Sequence, residues 1–119
     1  MEVKSFTGKL LYKREDLLED AEKNKRRPYI CINVFSNNAG VPYDYLLAPI
    51  TSTKTVGNKN LVKIDHPKLK KDSYCKLNNI FIVPASEICN YDSSEILFEE
   101  KIIGAVVDKL RELLLSKKP

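Results

Sequence analysis

The sequence predicts a β-rich α+β fold, a small SH3-like β-barrel with an amphipathic helix packed against it at the C-terminal end. Several short runs of apolar and β-branched residues are separated by turn-forming residues, which is typical of strands in a small β domain. Residues 98–115 instead carry apolar residues at helical spacing. A chain of 119 residues has the size of one folding unit, so we expect a single domain over residues 1–119.

Two apolar runs joined by a loop form the centre of the predicted barrel. Residues 29–35 and 45–50 have strand length and are rich in aromatic, β-branched and other apolar side chains. Between them, residues 36–44 contain Ser, Asn, Gly and Pro, which favours a surface loop. We therefore expect two neighbouring strands, each with substantial burial.

The outer ends of these two strands carry side chains that suit a phosphate group. If the strands pair antiparallel, Arg27 at the start of the first meets Thr51 and Ser52 at the end of the second. A guanidinium is always charged and presents a planar fork that matches phosphate oxygens. The residue types alone also allow a solvated arginine and two turn-capping hydroxyls.

The remaining β elements follow from the same patterns. Before the central pair, the sequence predicts one or two short strands in residues 1–12 and a short exposed helix in residues 14–25. After it, the predicted elements are a loop over residues 53–60, strands over 61–64, 74–77 and 80–83 with a bulge or bend between the last two, and a helical turn over 86–88.

The C-terminal segment has the strongest helical pattern of the chain. Its apolar residues at the 3.6-residue period are Ile102, Ile103, Val106, Leu110, Leu113 and Leu114. Two starts remain open: a capping-box-like sequence at Asp92, and a later start near Phe98 that follows a short strand over residues 95–97. Strands followed by one packed helix give the barrel-and-helix arrangement.

Composition limits the partners and the compartment. There are 20 basic and 16 acidic residues, and the formal charge of +4 is compatible with a polyanionic partner without demanding one. No apolar run approaches the roughly 20 residues that span a bilayer. The N-terminal residues show no hydrophobic signal core, so we expect a cytoplasmic protein without membrane attachment. The three cysteines lack metal-ligand spacing, and we expect reduced thiols and no metal site or cofactor.

Several short motifs occur in the order found in a known family. They are Arg27-Pro28 before an apolar strand, an Asn/Gly loop, APITS at 48–52, VKID at 62–65, LKKDS at 69–73 and a closing amphipathic helix. Over residues 26–115 this order and spacing resembles the MazF/PemK/Kid family of toxin ribonucleases. The resemblance implies an SH3-like barrel, the later start of the final helix, and a homodimer. It also implies a sequence-specific endoribonuclease that cleaves single-stranded RNA (mRNA) and is inhibited by a cognate antitoxin protein.

The resemblance assigns roles to particular positions. Arg27 and Thr51 match the catalytic arginine and threonine of the family. The predicted substrate-binding residues are Arg26, Ser52, Lys70, Lys71, Ser73 and Asn78. Asn78 stands where some relatives carry an acidic residue, and an amide cannot take a proton. His66, the sole histidine, is the weaker candidate for a general base.

The absence of clustered metal-ligand residues in the sequence predicts a metal-independent reaction. RNA permits one, because its own 2′-hydroxyl can attack the adjacent phosphorus while a cation stabilises the developing charge. Two other function classes stay open. One is a non-catalytic toxin that binds a protein target such as DNA gyrase, as in the CcdB relatives, and the other is an SH3-like binding module.

Overall fold

The structure, a computed structural model, describes residues 6–20, 27–53 and 60–115. Within these ranges the chain forms a seven-stranded sheet and one α-helix. In chain order the elements are β1 (Lys9–Lys13), β2 (Pro28–Ser36), β3 (Pro42–Thr51), β4 (Leu61–Ile64), β5 (Ser73–Lys76), β6 (Phe81–Pro84), β7 (Tyr91–Leu97) and α1 (Glu100–Leu115).

The sheet is antiparallel and is organised around β3. The strand order is β4-β5-β3-β2-β1-β7, and β6 pairs with β3 beside β5. Along the edge of β3 that faces away from β2, Asp44 to Leu47 pair with β6, whereas Ile50 and Thr51 pair with β5. One long strand therefore holds two short ones end to end, which curls the sheet and confirms the predicted small barrel with a C-terminal helix.

The two edge strands, β4 and β7, are joined by side chains in the described part of the chain. The ammonium of Lys68, which follows β4, lies 3.0 Å from a carboxylate oxygen of Glu95 in β7. The ring of His66 packs edge-on against Phe98, with centroids 5.6 Å apart. These contacts bring the edges together without closing the sheet by hydrogen bonds.

Both faces of the central strands are buried, as the apolar runs predicted. One cluster lies under α1 and contains Leu10, Ile30, Ile32, Ala48, Ile64, Cys75, Leu77, Phe98 and Val106. The second lies on the opposite face and contains Leu11, Cys31, Val34, Tyr45, Leu47, Val83 and Ile88. Consecutive residues such as Leu10 and Leu11 enter different clusters because side chains alternate along a strand.

Helix α1 confirms the later of the two predicted starts. Residues 91–97 form β7 and pair with β1, so the start at Asp92 was wrong. Val106 is completely buried, and Ile102, Ile103 and Leu110 pack against the first cluster. Leu114, which was placed on the buried stripe, is 63% exposed, whereas its neighbour Leu113 packs against the first cluster.

Three local predictions need correction. The loop predicted over residues 36–44 is shorter, since β3 begins at Pro42; the side-chain oxygen of Asn37 accepts hydrogen bonds from the backbone of Ala39 and Val41 and so tightens the turn. Residues 77–79 form a 3₁₀ turn where the sequence predicted the end of a strand and a bend, and the expected turn at 86–88 is a longer 3₁₀ segment, Ala85–Asn90.

Two predicted elements fall partly outside the described residues. Where a helix was expected over residues 14–25, the described part holds only a 3₁₀ turn, Glu15–Leu17, and residues 21–26 are not described. Residues 54–59 of the predicted 53–60 loop are not described either. No helix among the described residues has the length and apolarity needed to cross a membrane.

The cysteines are free thiols, as predicted. Cys31 and Cys75 are completely buried, and Cys89 is exposed. Burial raises the pKa of Cys31 and of Cys75 from 9.0 to about 12, because a thiolate loses its hydration inside an apolar cluster. Both buried thiols therefore act as small apolar core residues.

Candidate functional site

The pairing of β2 with β3 places Arg27 beside Thr51. Tyr29 lies opposite Pro49 and Ile30 opposite Ala48, so the same register two residues further out puts Arg27 level with Thr51. Opposed residues of an antiparallel pair project from the same face. The expected meeting of the two strand ends is thus present in the structure.

A cavity of about 360 Å³ opens at these strand ends. The residues that line it are Arg27, Pro49, Ile50, Thr51, Ser52 and Lys76. Arg27 and Ser52 are exposed, whereas Thr51 and Lys76 are half-buried. The polar groups therefore sit around a concave patch that a ligand enters from solvent.

The hydroxyl of Thr51 is oriented by the backbone. Its oxygen accepts a hydrogen bond from the N–H of Thr53 at 3.1 Å. This is the local turn that a threonine after a strand commonly forms. In this bond the Thr51 oxygen is the acceptor, so its O–H group remains available to donate a hydrogen bond to a ligand oxygen.

Lys76 is the site residue that the sequence analysis missed. Ile50 lies opposite Cys75, so Lys76, the last residue of β5, is level with Pro49 and faces the cavity. The signal that identifies it is a long-range pairing, β5 with the end of β3, which no local pattern specifies. The sequence analysis had instead predicted substrate binding by Asn78, two residues further along the chain.

The cavity is suited to an anion. Two cations and two hydroxyls line it, and none of the lining residues is acidic. In residues 6–20, 27–53 and 60–115, no carboxylate forms an ion pair with Arg27 or Lys76. An arginine fork with a nearby lysine and a hydroxyl donor can contact several oxygens of one phosphate group.

Most of the other predicted substrate-binding residues lie outside this cavity. Lys70 and Lys71 are exposed on the connection before β5, and Asn78 is exposed on the 3₁₀ turn after it. Ser73 is only 7% exposed, and its hydroxyl donates to the carbonyl oxygen of Lys71 at 3.1 Å. Arg26 lies outside the described residues.

His66 belongs to a different cavity. Together with Asp65, Lys68, Glu99 and other residues, it lines a space of about 640 Å³ between the β4 and β7 edges. Its Nδ1 accepts the backbone N–H of Lys68 at 3.0 Å. In the described part of the chain, no three His, Cys, Asp or Glu side chains are grouped so that they could hold a metal ion.

Known proteins were compared by sequence and by structure. No protein-family model matches the chain, and the curated proteins give no significant match. Several solved structures, in contrast, are similar to the chain. A crystal structure of MazE-MazF from Deinococcus radiodurans superposes with a TM-score of 0.58 at 19% identity, covering 91% of this chain and 92% of that one. An Mtb toxin gives a TM-score of 0.52 at 17% identity and covers 74% of this chain and 92% of that one.

A third similar structure is also a toxin. The Mycobacterium tuberculosis toxin MazF-mt6 gives a TM-score of 0.51 at 18% identity, over 76% of this chain and 88% of that chain. All three similarities extend over most of both chains at low identity, so what they establish is the fold. The chain has the fold of the MazF-type toxins.

Proposed function

We propose that the chain is the toxin of a toxin–antitoxin pair and that it cleaves single-stranded RNA, mRNA included, as a metal-independent endoribonuclease. The observation that carries the proposal is the cationic cavity formed by Arg27, Thr51 and Lys76 at the ends of β2, β3 and β5. It supplies charge and hydrogen-bond donors for one phosphate on a fold that the toxins share. Ser52 at the rim is the further substrate contact in this cavity.

The proposed reaction is a transfer within the RNA itself. The 2′-oxygen forms a bond to the adjacent phosphorus while the bond from phosphorus to the 5′-oxygen breaks. In net terms the 2′-hydroxyl loses one proton and the departing 5′-oxygen gains one, so the step balances without water. The products are a 2′,3′-cyclic phosphate and a 5′-hydroxyl. Because the nucleophile belongs to the substrate, the protein has to position the phosphate and stabilise its charge.

Three of the residues that line the cavity have a role in this scheme. Arg27 stabilises the negative charge that develops on the non-bridging phosphoryl oxygens. Thr51, whose oxygen accepts the N–H of Thr53, donates a hydrogen bond to one of those oxygens. Lys76 adds a second cation on the β5 side of the phosphate. His66 has no role in the scheme, since it lines another cavity.

Two partner proposals accompany the reaction. The similar structure named MazE-MazF supports an antitoxin as the regulatory partner of this chain. We also propose that the protein is cytoplasmic and forms a homodimer. In the described part of the chain β4 pairs with β5 alone and β6 pairs with β3 alone, so a second copy can cover the free edges of these two strands. Light scattering at micromolar concentration tests the dimer, and a monomer mass contradicts it.

The test of the reaction uses RNA in excess EDTA. A long transcript is first cleaved, and the position of cleavage is mapped. A short RNA that spans this position is then compared with the same RNA carrying a single 2′-deoxy residue at the scissile linkage. We expect cleavage of the first RNA to a 2′,3′-cyclic phosphate and none of the second. Cleavage of the deoxy linkage, or activity lost to EDTA and restored by a divalent metal, contradicts the mechanism. A chain that cuts no RNA contradicts the function.

A further inference from the structure

A row of side chains continues from the candidate site across two more strands. Thr51 of β3 lies opposite Tyr74 of β5, and Tyr74 lies opposite Lys63 of β4. Directly opposed residues in antiparallel pairs share a face, so these three side chains project from the same side of the sheet. With neighbouring strands about 4.8 Å apart, the backbones of Thr51 and Lys63 are separated by roughly 10 Å.

The row lies on the face that also carries the cavity. The neighbouring row is formed by Ile50, Cys75 and Val62, which belong to the cluster under α1 or pack against it. Because side chains alternate, the Thr51 row points the other way, as Arg27 does. Tyr74 is only 8% exposed and offers RNA little contact, whereas the side chain of Lys63 is 51% exposed and can be reached by a ligand.

The ion pairs that Lys63 forms with neighbouring carboxylates are long and exposed. Its ammonium lies 3.8 Å from a carboxylate oxygen of Asp72 and 4.0 Å from one of Asp65. Both carboxylates are more than 70% exposed. Exposed ion pairs at such distances contribute little to stability and weaken further in salt. A phosphate group can therefore replace these carboxylates as the partner of the lysine.

We propose that Lys63 is a second phosphate-binding position of the same RNA surface, next to the phosphate held at Arg27 and Thr51, and that Asp72 and Asp65 compete with RNA for it. The RNA backbone then extends from the phosphate at Arg27 and Thr51 towards Lys63. This inference rests on the proposed function, because it extends the surface of that substrate. Lys63 positions the RNA and takes no part in the bond changes.

The experiment measures RNA binding separately from cleavage. A fluorescent RNA with a 2′-deoxy scissile residue is titrated with the full chain by anisotropy at several salt concentrations. Each phosphate contact with a single strand contributes about 0.7 to the slope of log K against log salt. We expect Lys63→Ala to weaken binding severalfold at low salt and to reduce that slope by about 0.7. The matched control is Lys101→Ala, an exposed lysine on α1.

Removing the competing charge gives the opposite change. Asp72→Asn should tighten binding, and the gain should vanish when Lys63→Ala is present as well. Asp108→Asn on α1 makes the same change in net charge, so it measures how much of the gain in RNA affinity comes from net charge alone. Equal slopes for wild type and Lys63→Ala overturn the inference while leaving the function intact, provided that the wild type cleaves RNA. A wild type that neither binds nor cleaves RNA overturns both.

Discussion

Arg27 and Thr51 face the same cavity from neighbouring strands, level with each other and two residues beyond the paired Tyr29 and Pro49. Neither side chain belongs to the buried clusters, so their positions are fixed by the backbone register of β2 and β3. A substitution at either site can therefore remove a donor to the phosphate without disturbing the core.

The first prediction concerns this arginine. Arg27→Ala should slow RNA cleavage at least about a hundredfold, because losing one preorganised donor to developing charge costs on the order of 3 kcal/mol. Single-turnover cleavage of a defined RNA measures the effect. Arg14→Ala is the matched control, since Arg14 is exposed and pairs with Asp16. The role of Arg27 fails if both variants cleave at the wild-type rate, or if the melting temperature of Arg27→Ala falls enough to explain its loss.

A second prediction separates Lys76 from Asn78. Lys76→Ala should lower cleavage by about tenfold or more, since it removes a cation from the cavity. Asn78→Ala should change the rate less than about threefold, because Asn78 is exposed on the turn after β5 and does not line the cavity. The same single-turnover assay compares the two. The reverse order of effects would restore the sequence-based assignment of Asn78.

The site shows both what could be predicted from the sequence and what could not. The antiparallel neighbours β2 and β3 could be predicted, because two apolar runs flank a turn-forming segment and the loop is short. Lys76 could not, because its direction depends on β5 pairing with the end of β3, a contact between segments distant in sequence. The 3₁₀ turn after Lys76 then moves Asn78 away from the cavity.

Two local patterns were overridden by long-range contacts. The sequence starting at Asp92 has the polar residues of a capping box, yet pairing with β1 makes it a strand. Ser73 was expected to contact the substrate, yet it begins β5 opposite Ile64 and is buried there. Tertiary packing routinely outweighs such local preferences.

The third prediction compares two glycines. Gly8 has a φ of +86°, and a Cβ there would lie 2.9 Å from the carbonyl oxygen of Phe98, whose N–H donates to the carbonyl of Gly8. Gly8→Ala should lower the free energy of unfolding by about 1–3 kcal/mol. Gly104, inside α1, has open space around its Cβ position, so Gly104→Ala should raise it by about 0.5–1 kcal/mol. Urea unfolding measures both, and changes of the same sign would contradict this reading of the two sites.

The last prediction concerns the buried thiols at alkaline pH. In the unfolded chain a thiol ionises near its ordinary pKa of 9.0, whereas in the fold the pKa of Cys31 and of Cys75 is raised to about 12 by burial. Between these values the unfolded state has released protons that the folded state keeps, so the free energy of unfolding falls as the pH rises from 9 towards 12. Below pH 9 the two thiols contribute no such slope.

Urea unfolding between pH 7 and pH 10.5 measures this slope. A variant carrying both Cys31→Ala and Cys75→Ala should start from a lower stability and lose less of it above pH 9. Exposed Cys89 provides the internal contrast: at pH 8 an alkylating reagent should modify Cys89 in the folded protein and reach the other two only when denaturant is added. Labelling of Cys31 or Cys75 in the native protein at a rate similar to that of Cys89 would show that these thiols are reachable from solvent and would remove the physical basis of the alkaline slope.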